Sequence, residues 1–300
     1  MKGKRFIQFE LWKDCSQGCP FCCNRGQLPI NKTESCQYIM NVLDTLEPNV
    51  YDYIGLIGGE FFNGELQYHM HNFFTILRKI SNLNPKKIFI TTNLIYDMKD
   101  YLIPVLKALG KAFNINDKIV LCTSWDNKYR FHTPEQQQLW TKNMLWLHSH
   151  FPEVELHVEM IMTQHLIDAV IKENSLDFAL FQQIFNCSLD FIEPSSGLYF
   201  KDKYECQEAL PGFFPTQTSF IQFLLQQKNK IDLNKLFSME LRSEELYFIE
   251  NGKHRVAKNR RLGDGRCELS DKTKKYDIGF IDSERSMREV VELVKEMLDG

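Results

Sequence analysis

With 300 residues, 43% of them hydrophobic and 13% aromatic, the chain can bury a large core as one α/β domain or two smaller ones. Its 36 Lys and Arg against 39 Asp and Glu give a net charge of −3, which argues against a strong nucleic-acid or membrane-surface footprint and leaves room only for a local patch. No apolar run nears the roughly 20 residues that span a bilayer, Met1 to Arg5 lead into a strand with no cleavage site, and nine cysteines in such a chain point to a reducing cytoplasm.

Residues 5–12 alternate as a first strand, with Phe6, Gln8, Glu10 and Trp12 on one face and Ile7, Phe9 and Leu11 on the other. If the apolar face lies under helices, Gln8, Glu10 and Trp12 point into a barrel interior; an edge strand with a wet face gives the same pattern. Three cysteines follow, Cys15, Cys19 and Cys22, on a loop holding Gly18 and Pro20. Asn31 and Glu34 then form a capping-box pair ahead of a helix whose buried stripe is Ile39, Val42, Leu43 and Leu46.

A strand at 53–57 ends in Gly58-Gly59-Glu60, and Leu66, Met70, Phe73, Leu77 and Ile80 mark the helix after it. A third strand at 87–92 ends at Asn93, before a helix at 98–113 that Pro104 would bend. The fourth strand, 119–124, ends in Ser124-Trp125-Asp126, and Thr133 caps the next helix with Pro134 at its first position. A fifth strand at 154–163, a helix beginning near His165 and a sixth strand at 188–192 complete the series. Six strand–helix units in a row imply a parallel sheet with right-handed crossovers, in which ligands gather at the carboxyl ends of the strands. Each motif above sits at such an end.

Past residue 200 the pattern changes. Pro211 and Pro215 flank a Phe-rich turn, residues 218–227 read as helical, and hairpin strands at 246–249 and 255–258 surround Asn251-Gly252. Ser286 and Glu289 cap a last helix facing the core through Val290, Leu293, Val294 and Met297. Residues 1–200 are therefore expected as a parallel α/β core, and 201–300 as a small α+β extension that caps it.

The cysteine loop has a chemical logic of its own. Soft thiolates on one short loop select zinc, copper(I) or an iron–sulfur cluster. A structural zinc site wants four ligands, commonly as paired cysteines, and Cys23 is too close to Cys22 to turn to the same centre. A [4Fe–4S] cube takes four cysteines, so three leave one iron open to something that is not protein.

The pattern Cys-x-x-x-Cys-x-Phe-Cys, with Phe21 as its aromatic, resembles the signature of the radical S-adenosylmethionine superfamily. That resemblance implies a partial (β/α)6 TIM-type barrel and a [4Fe–4S] cluster on Cys15, Cys19 and Cys22. It also implies S-adenosylmethionine chelated to the open iron and cleaved to a 5′-deoxyadenosyl radical. Gly58, Gly59 and Glu60 match the family's contact to the methionine ammonium, Asn93 and Ser124 its contacts to ribose or carboxylate, and Phe21 a neighbour of the adenine. Ordinary βα-turn and helix-capping roles remain open for these residues.

Asp126, Arg130 and His132 on one loop suit a substrate carboxylate or phosphate, with surface ion pairing as the other reading. Glu10, His157 and Glu159 are candidates to line the barrel and hydrogen-bond a polar small molecule, and with Asp126 they are the catalytic candidates. Gln8 and Trp12 are candidate substrate contacts, and a satisfied core histidine is the other reading of His157. Cys206 and Cys267 are too few for a second cluster. The Lys/Arg-rich stretch 253–266 is a solvated face first and a phosphate or nucleotide contact second. A small polar substrate follows, a modified nucleoside or nucleotide in a queuosine-lyase-like reaction that releases queuine, with flavodoxin or ferredoxin as reductant. A glycyl-radical-activating or peptide-modifying enzyme is the alternative, and a cysteine-ligated redox sensor the non-enzymatic one.

Overall fold

The structure is a computed structural model that describes residues 5–19, 22, 31–62, 66–126, 130–161 and 164–192, and the backbone of strands at 242–250, 253–261, 267–270 and 275–277. Six strands, β1 (Arg5–Glu10), β2 (Tyr53–Ile57), β3 (Lys87–Thr91), β4 (Ile119–Ser124), β5 (Glu155–Ile161) and β6 (Cys187–Ile192), pair in parallel and in chain order. Helices α1 (Lys32–Thr45), α2 (Leu66–Asn82), α3 (Leu102–Phe113) and α4 (Pro134–His150) connect the first five strands, and α5 (Gln164–Ile171) and α6 (Phe178–Phe185) lead to the sixth. The result is an open α/β partial barrel, as the sequence implies.

The central strands Tyr-Ile-Gly-Leu-Ile and Lys-Ile-Phe-Ile-Thr are buried along their middles, as strands covered on both faces must be. Outward-facing Ile7, Phe9, Ile54, Leu56, Ile88, Ile90, Val158 and Met160 meet the helices, as do Leu66, Phe73, Leu77 and Ile80 from α2. The helix ends are specified locally. The side chains of Asn31, Thr133 and Asp177 accept from the backbone N–H groups of Glu34, Gln136 and Leu180, and Asn114 and Asn186 close α3 and α6 in the left-handed conformation.

Three expectations are corrected. The first strand ends at Glu10 rather than Trp12, since the chain there leaves the sheet to meet the turn after β2. Helix α3 starts at Leu102, not 98, so Pro104 falls in its first turn, where no intrahelical N–H bond is lost and no bend is forced. Two helices rather than one follow β5, divided near Asn174, whose φ of 51° breaks the helical run.

The sheet continues past β1. The strands β7 (Arg242–Glu250), β8 (Lys253–Arg261), β9 (Cys267–Ser270) and β10 (Lys275–Asp277) give the order β10-β9-β8-β7-β1-β2-β3-β4-β5-β6. Strand β7 runs parallel to β1 with a register shift at Phe6/Ile7, and the expected hairpin is seen as the antiparallel β7–β8 pair closing at Glu250 and Lys253. Asn251-Gly252, the turn at 211–215, the helices near 218–227 and 286–297, and the boundary at residue 200 lie outside the described residues.

Candidate active site

The two glycines after β2 bring two chain segments into backbone contact. Gly59 N–H donates to Trp12 O at 2.6 Å and Glu60 N–H to Asp14 O at 2.8 Å, tying the turn after β2 to the residues that precede the cysteine loop. A Cβ on Gly58 would stand 2.1 Å from Trp12 O and one on Gly59 2.0 Å from Asp14 O, and Gly58 has a φ of +146°. Only glycine fits both positions. Trp12 does not reach the interior: its fully buried ring packs edge-on against Phe61 and donates from Nε1 to Glu60 O at 3.2 Å.

Beyond this stitch come the thiols. Cys15 is exposed, Cys19 buried and Cys22 half-buried, and Cys22 N–H donates to Cys19 O at 3.0 Å. Burial pushes the Cys19 thiol up, and the Arg130 guanidinium pulls it part of the way back. Asn93 Nδ2 faces Cys15 Sγ at 3.9 Å, and Arg130 Nη1 donates to Cys19 Sγ at 3.2 Å. His132, two residues on, bonds through Nε2 to Gln17 O inside the same loop. Thus the loop after β4 grips the cysteine loop at two points. Arg130 is only 8% exposed, and its Nε is buried without a hydrogen-bond partner among the described residues.

Among the described residues no three His, Cys, Asp or Glu side chains are grouped as ligands to one metal ion. Cysteines on a cube each take a different corner iron and stand further apart than donors to a single ion. Three soft sulfurs on one loop, two of them faced by N–H donors, fit a cluster as donor set and as hydrogen-bonded surroundings.

Glu60 is fully engaged. Its carboxylate accepts from Phe62 N at 2.9 Å, from Asn93 N at 2.5 Å and from Thr92 Oγ1 at 3.0 and 3.2 Å, which ties the end of β2 to the end of β3. Burial nevertheless raises its pKa to about 7 against these donors. The β3 end is itself shaped to meet Glu60. Leu94 takes a left-handed φ of 56°, Asn93 Oδ1 accepts from Ile95 N, and Asn143 of α4 bonds the carbonyls of Leu94 and Tyr96. A buried Leu in that conformation costs about 1–3 kcal/mol, held by surrounding contacts.

The concave face carries polar rows. Ser124, Glu159 and Asp190 lie in register across β4, β5 and β6, with Cys122, His157 and Ser188 one row below. Burial, then the neighbouring Asp190, raises Glu159 to about 7, while burial depresses His157 to about 3, leaving a neutral imidazole whose Nδ1 lies 3.1 Å from Ser188 Oγ. Across the face, Glu10 pairs with Lys13 at 3.7 Å and is raised to about 7 by burial, with Cys22 near enough to add to the shift. Gln8 is half-buried on Glu10's side of β1. Above the rows, buried Asp126 pairs with His165 Nε2 at 2.8 Å, joining the loop after β4 to the first turn of α5.

The structure thus brings Asn93 to Cys15, Arg130 to Cys19, Asn93 to Glu60 and Ser124 beside Glu159, and turns Trp12 and His132 toward the protein. Phe21 lies outside the described residues. Sequence reading missed Thr92, Lys13, Asp190 and His165. Period-two alternation with Ser188 was the available signal for Asp190; His165 follows its strand with none.

Comparison with solved structures can now be set beside this geometry. The chain matches hexahistidine-tagged anSMEcpe with bound AdoMet at a TM-score of 0.50 and 15% identity, covering 96% of this chain and 80% of that one. The fold is similar to that of anSMEcpe. Native anSMEcpe with bound AdoMet and Cp18Cys peptide matches at 0.49 and 16% identity over 75% of this chain, which spans 59% of that protein's length. The FeFe-hydrogenase maturase HydG from Carboxydothermus hydrogenoformans matches at 0.46 and 12% identity, over 99% and 67% of the two chains. No protein-family model and no curated protein matches the sequence.

Proposed function

We propose that the chain is a radical S-adenosylmethionine enzyme. One observation carries the reading: a three-cysteine loop is stitched, backbone to backbone, to a Gly-Gly-Glu turn at the carboxyl edge of a parallel partial barrel. When bound, a reduced [4Fe–4S] cluster on Cys15, Cys19 and Cys22 supplies the electron that splits S-adenosylmethionine to a 5′-deoxyadenosyl radical. Gly58 and Gly59 fix the height of the cysteine loop above β2, and Glu60 fixes Asn93 beside it. Arg130 keeps its Nε for an acceptor, suited to a carboxylate. Ser124 stands at the end of β4, placed for the ribose or carboxylate. The protein's work is placement and exclusion of water.

Substrate enters the concave face, where Ser124, Glu159, Ser188 and Asp190 offer acceptors to hydroxyl and amino groups and the buried His157 orients Ser188. That lining supports a small polar molecule, with a modified nucleoside or nucleotide as our choice and a queuosine-lyase-like release of queuine as its specific form. Flavodoxin or ferredoxin would supply electrons in a reducing cytoplasm. No helix among the described residues is long and apolar enough to cross a membrane.

The test is anaerobic reconstitution with iron and sulfide, addition of dithionite and S-adenosylmethionine, and assay for 5′-deoxyadenosine. Its formation, stimulated by nucleosides, supports both levels of the reading. Stimulation by peptides alone moves the substrate to a protein chain. A full cluster that neither binds nor cleaves S-adenosylmethionine overturns the reading in favour of a redox sensor.

A further inference from the structure

Resting on that reading, we propose that Arg130 is a positioning residue that sets the reduction potential of the iron–sulfur centre, by donating a guanidinium N–H to the Cys19 sulfur. The contact is direct, 3.2 Å from Nη1 to Sγ, and both residues are buried, Arg130 at 8% and Cys19 at 3% exposure. A cluster's potential depends on net charge, on hydrogen bonds to its sulfurs and on solvent exposure. Arg130 acts on all three. Its charge is permanent, its donor reaches a ligand sulfur, and its bulk lies where water would otherwise stand.

The surroundings give this cation something to oppose. Adding an electron adds negative charge to a centre that already holds three thiolates. Glu10 lies within electrostatic reach of Cys22, and Glu60 within reach of Cys15. Glu60 and Glu159 in turn sense the Arg130 guanidinium. Lys13, the other buried cation here, pairs with Glu10. Arg130 is therefore the cationic side chain seen to donate to a cysteine sulfur among the described residues. The neutral Asn93 amide faces Cys15 at a longer 3.9 Å. Low local dielectric strengthens a charge-assisted bond of this kind, and such a donor stabilises the more negative, reduced state.

Geometry keeps the donor in place. His132 holds Gln17 O two residues from Cys19, a second tie between the β4 loop and the cysteine loop. The planar guanidinium holds Nη1 on sulfur and presents Nε in a fixed direction to a second acceptor, whereas a lysine would have to reach both from one nitrogen.

The experiment compares wild type, Arg130→Gln and Arg130→Lys, each reconstituted anaerobically, by iron and sulfide content and by redox titration monitored by electron paramagnetic resonance without S-adenosylmethionine. We expect equal iron content, and in Arg130→Gln a reduced-to-oxidised ratio about tenfold lower at a fixed potential, or about 59 mV for a one-electron couple. Arg130→Lys, which keeps charge and loses the fork, should fall between. A fully loaded Arg130→Gln with an unchanged midpoint overturns the proposal. If only that variant loses its cluster, Arg130→Lys decides on the same criterion. Loss from both makes Arg130 a structural clamp and also overturns it. Wild type that takes up no cluster overturns the underlying reading as well.

Discussion

Replacing Gly59 by alanine tests the stitch between β2 and the cysteine loop. The new Cβ would lie 2.0 Å from Asp14 O, against the 3.0 Å that real contacts of this kind respect, so the two segments must part by about 1 Å. The bonds from Gly59 N to Trp12 O, now 2.6 Å, and from Glu60 N to Asp14 O, now 2.8 Å, would stretch to about 3.6 and 3.8 Å, beyond hydrogen-bonding range. Each buried bond is worth about 1 kcal/mol net, and a donor left without water costs about 1–3 kcal/mol. Gly59→Ala should therefore destabilise the apoprotein by about 3 kcal/mol and lower its iron content after reconstitution. Gly18→Ala is the control, because Gly18 has a φ of +56° but nothing within 4 Å of an added Cβ. It should cost only the backbone penalty of about 1–2 kcal/mol. Urea denaturation of both variants measures the difference, and a loss at Gly59 no greater than at Gly18 refutes the steric argument.

Glu60→Gln sets an amide NH2 against N–H donors of Phe62 or Asn93, leaving one buried donor without an acceptor; at pH 8 it should destabilise by about 2 kcal/mol in urea. Unchanged stability would sink the staple role. Glu10, Glu60 and Glu159 have folded pKa values raised to about 7, so stability is present below their ordinary carboxylate range and is lost as pH rises through about 7, each by at most about 1.4 kcal/mol per unit. His157, depressed to about 3, works the other way below its ordinary range near 6.5. Three carboxylates outweigh one imidazole, so denaturation midpoints of the apoprotein should fall between pH 5 and 7, more gently in Glu159→Gln; a rise over that window contradicts the assignments. Cys22→Ala should lose reconstituted iron while the apoprotein keeps its denaturation midpoint, since the half-buried thiol contributes little packing. Iron retained at wild-type level removes Cys22 from the ligand set.

Much of the barrel could be read from sequence, because parallel strands covered on both faces leave continuous apolar runs that few alternatives explain. The strand at 53–57 and that at 119–124 fall where periodicity puts them, and Asn31 and Thr133 announce their helices by local hydrogen bonds. Helix α6 was missed because it is short and its exposed face carries Leu180 and Ile184 while Gln182 is buried, so residue type does not mark which face is inside. Trp12 was assigned to the interior by alternation, but alternation ends with the ladder, and two residues past β1 the chain belongs to the β2 turn. Thr92 and Asn93 as partners of Glu60 are contacts made across 32 and 33 residues of sequence, which no local pattern encodes. The addition of β7 to β1 is equally non-local.

The stitch at Gly58-Gly59 also bears on divergence. Main-chain hydrogen bonds ask nothing of side-chain identity, so the two bonds from Gly59 and Glu60 can outlast changes at Lys13 and Asp14, provided the opposing pair stays glycine, while the Trp12 ring adds a grip that does depend on its identity. A loop held in that way is partly insulated from mutational drift in its own stem.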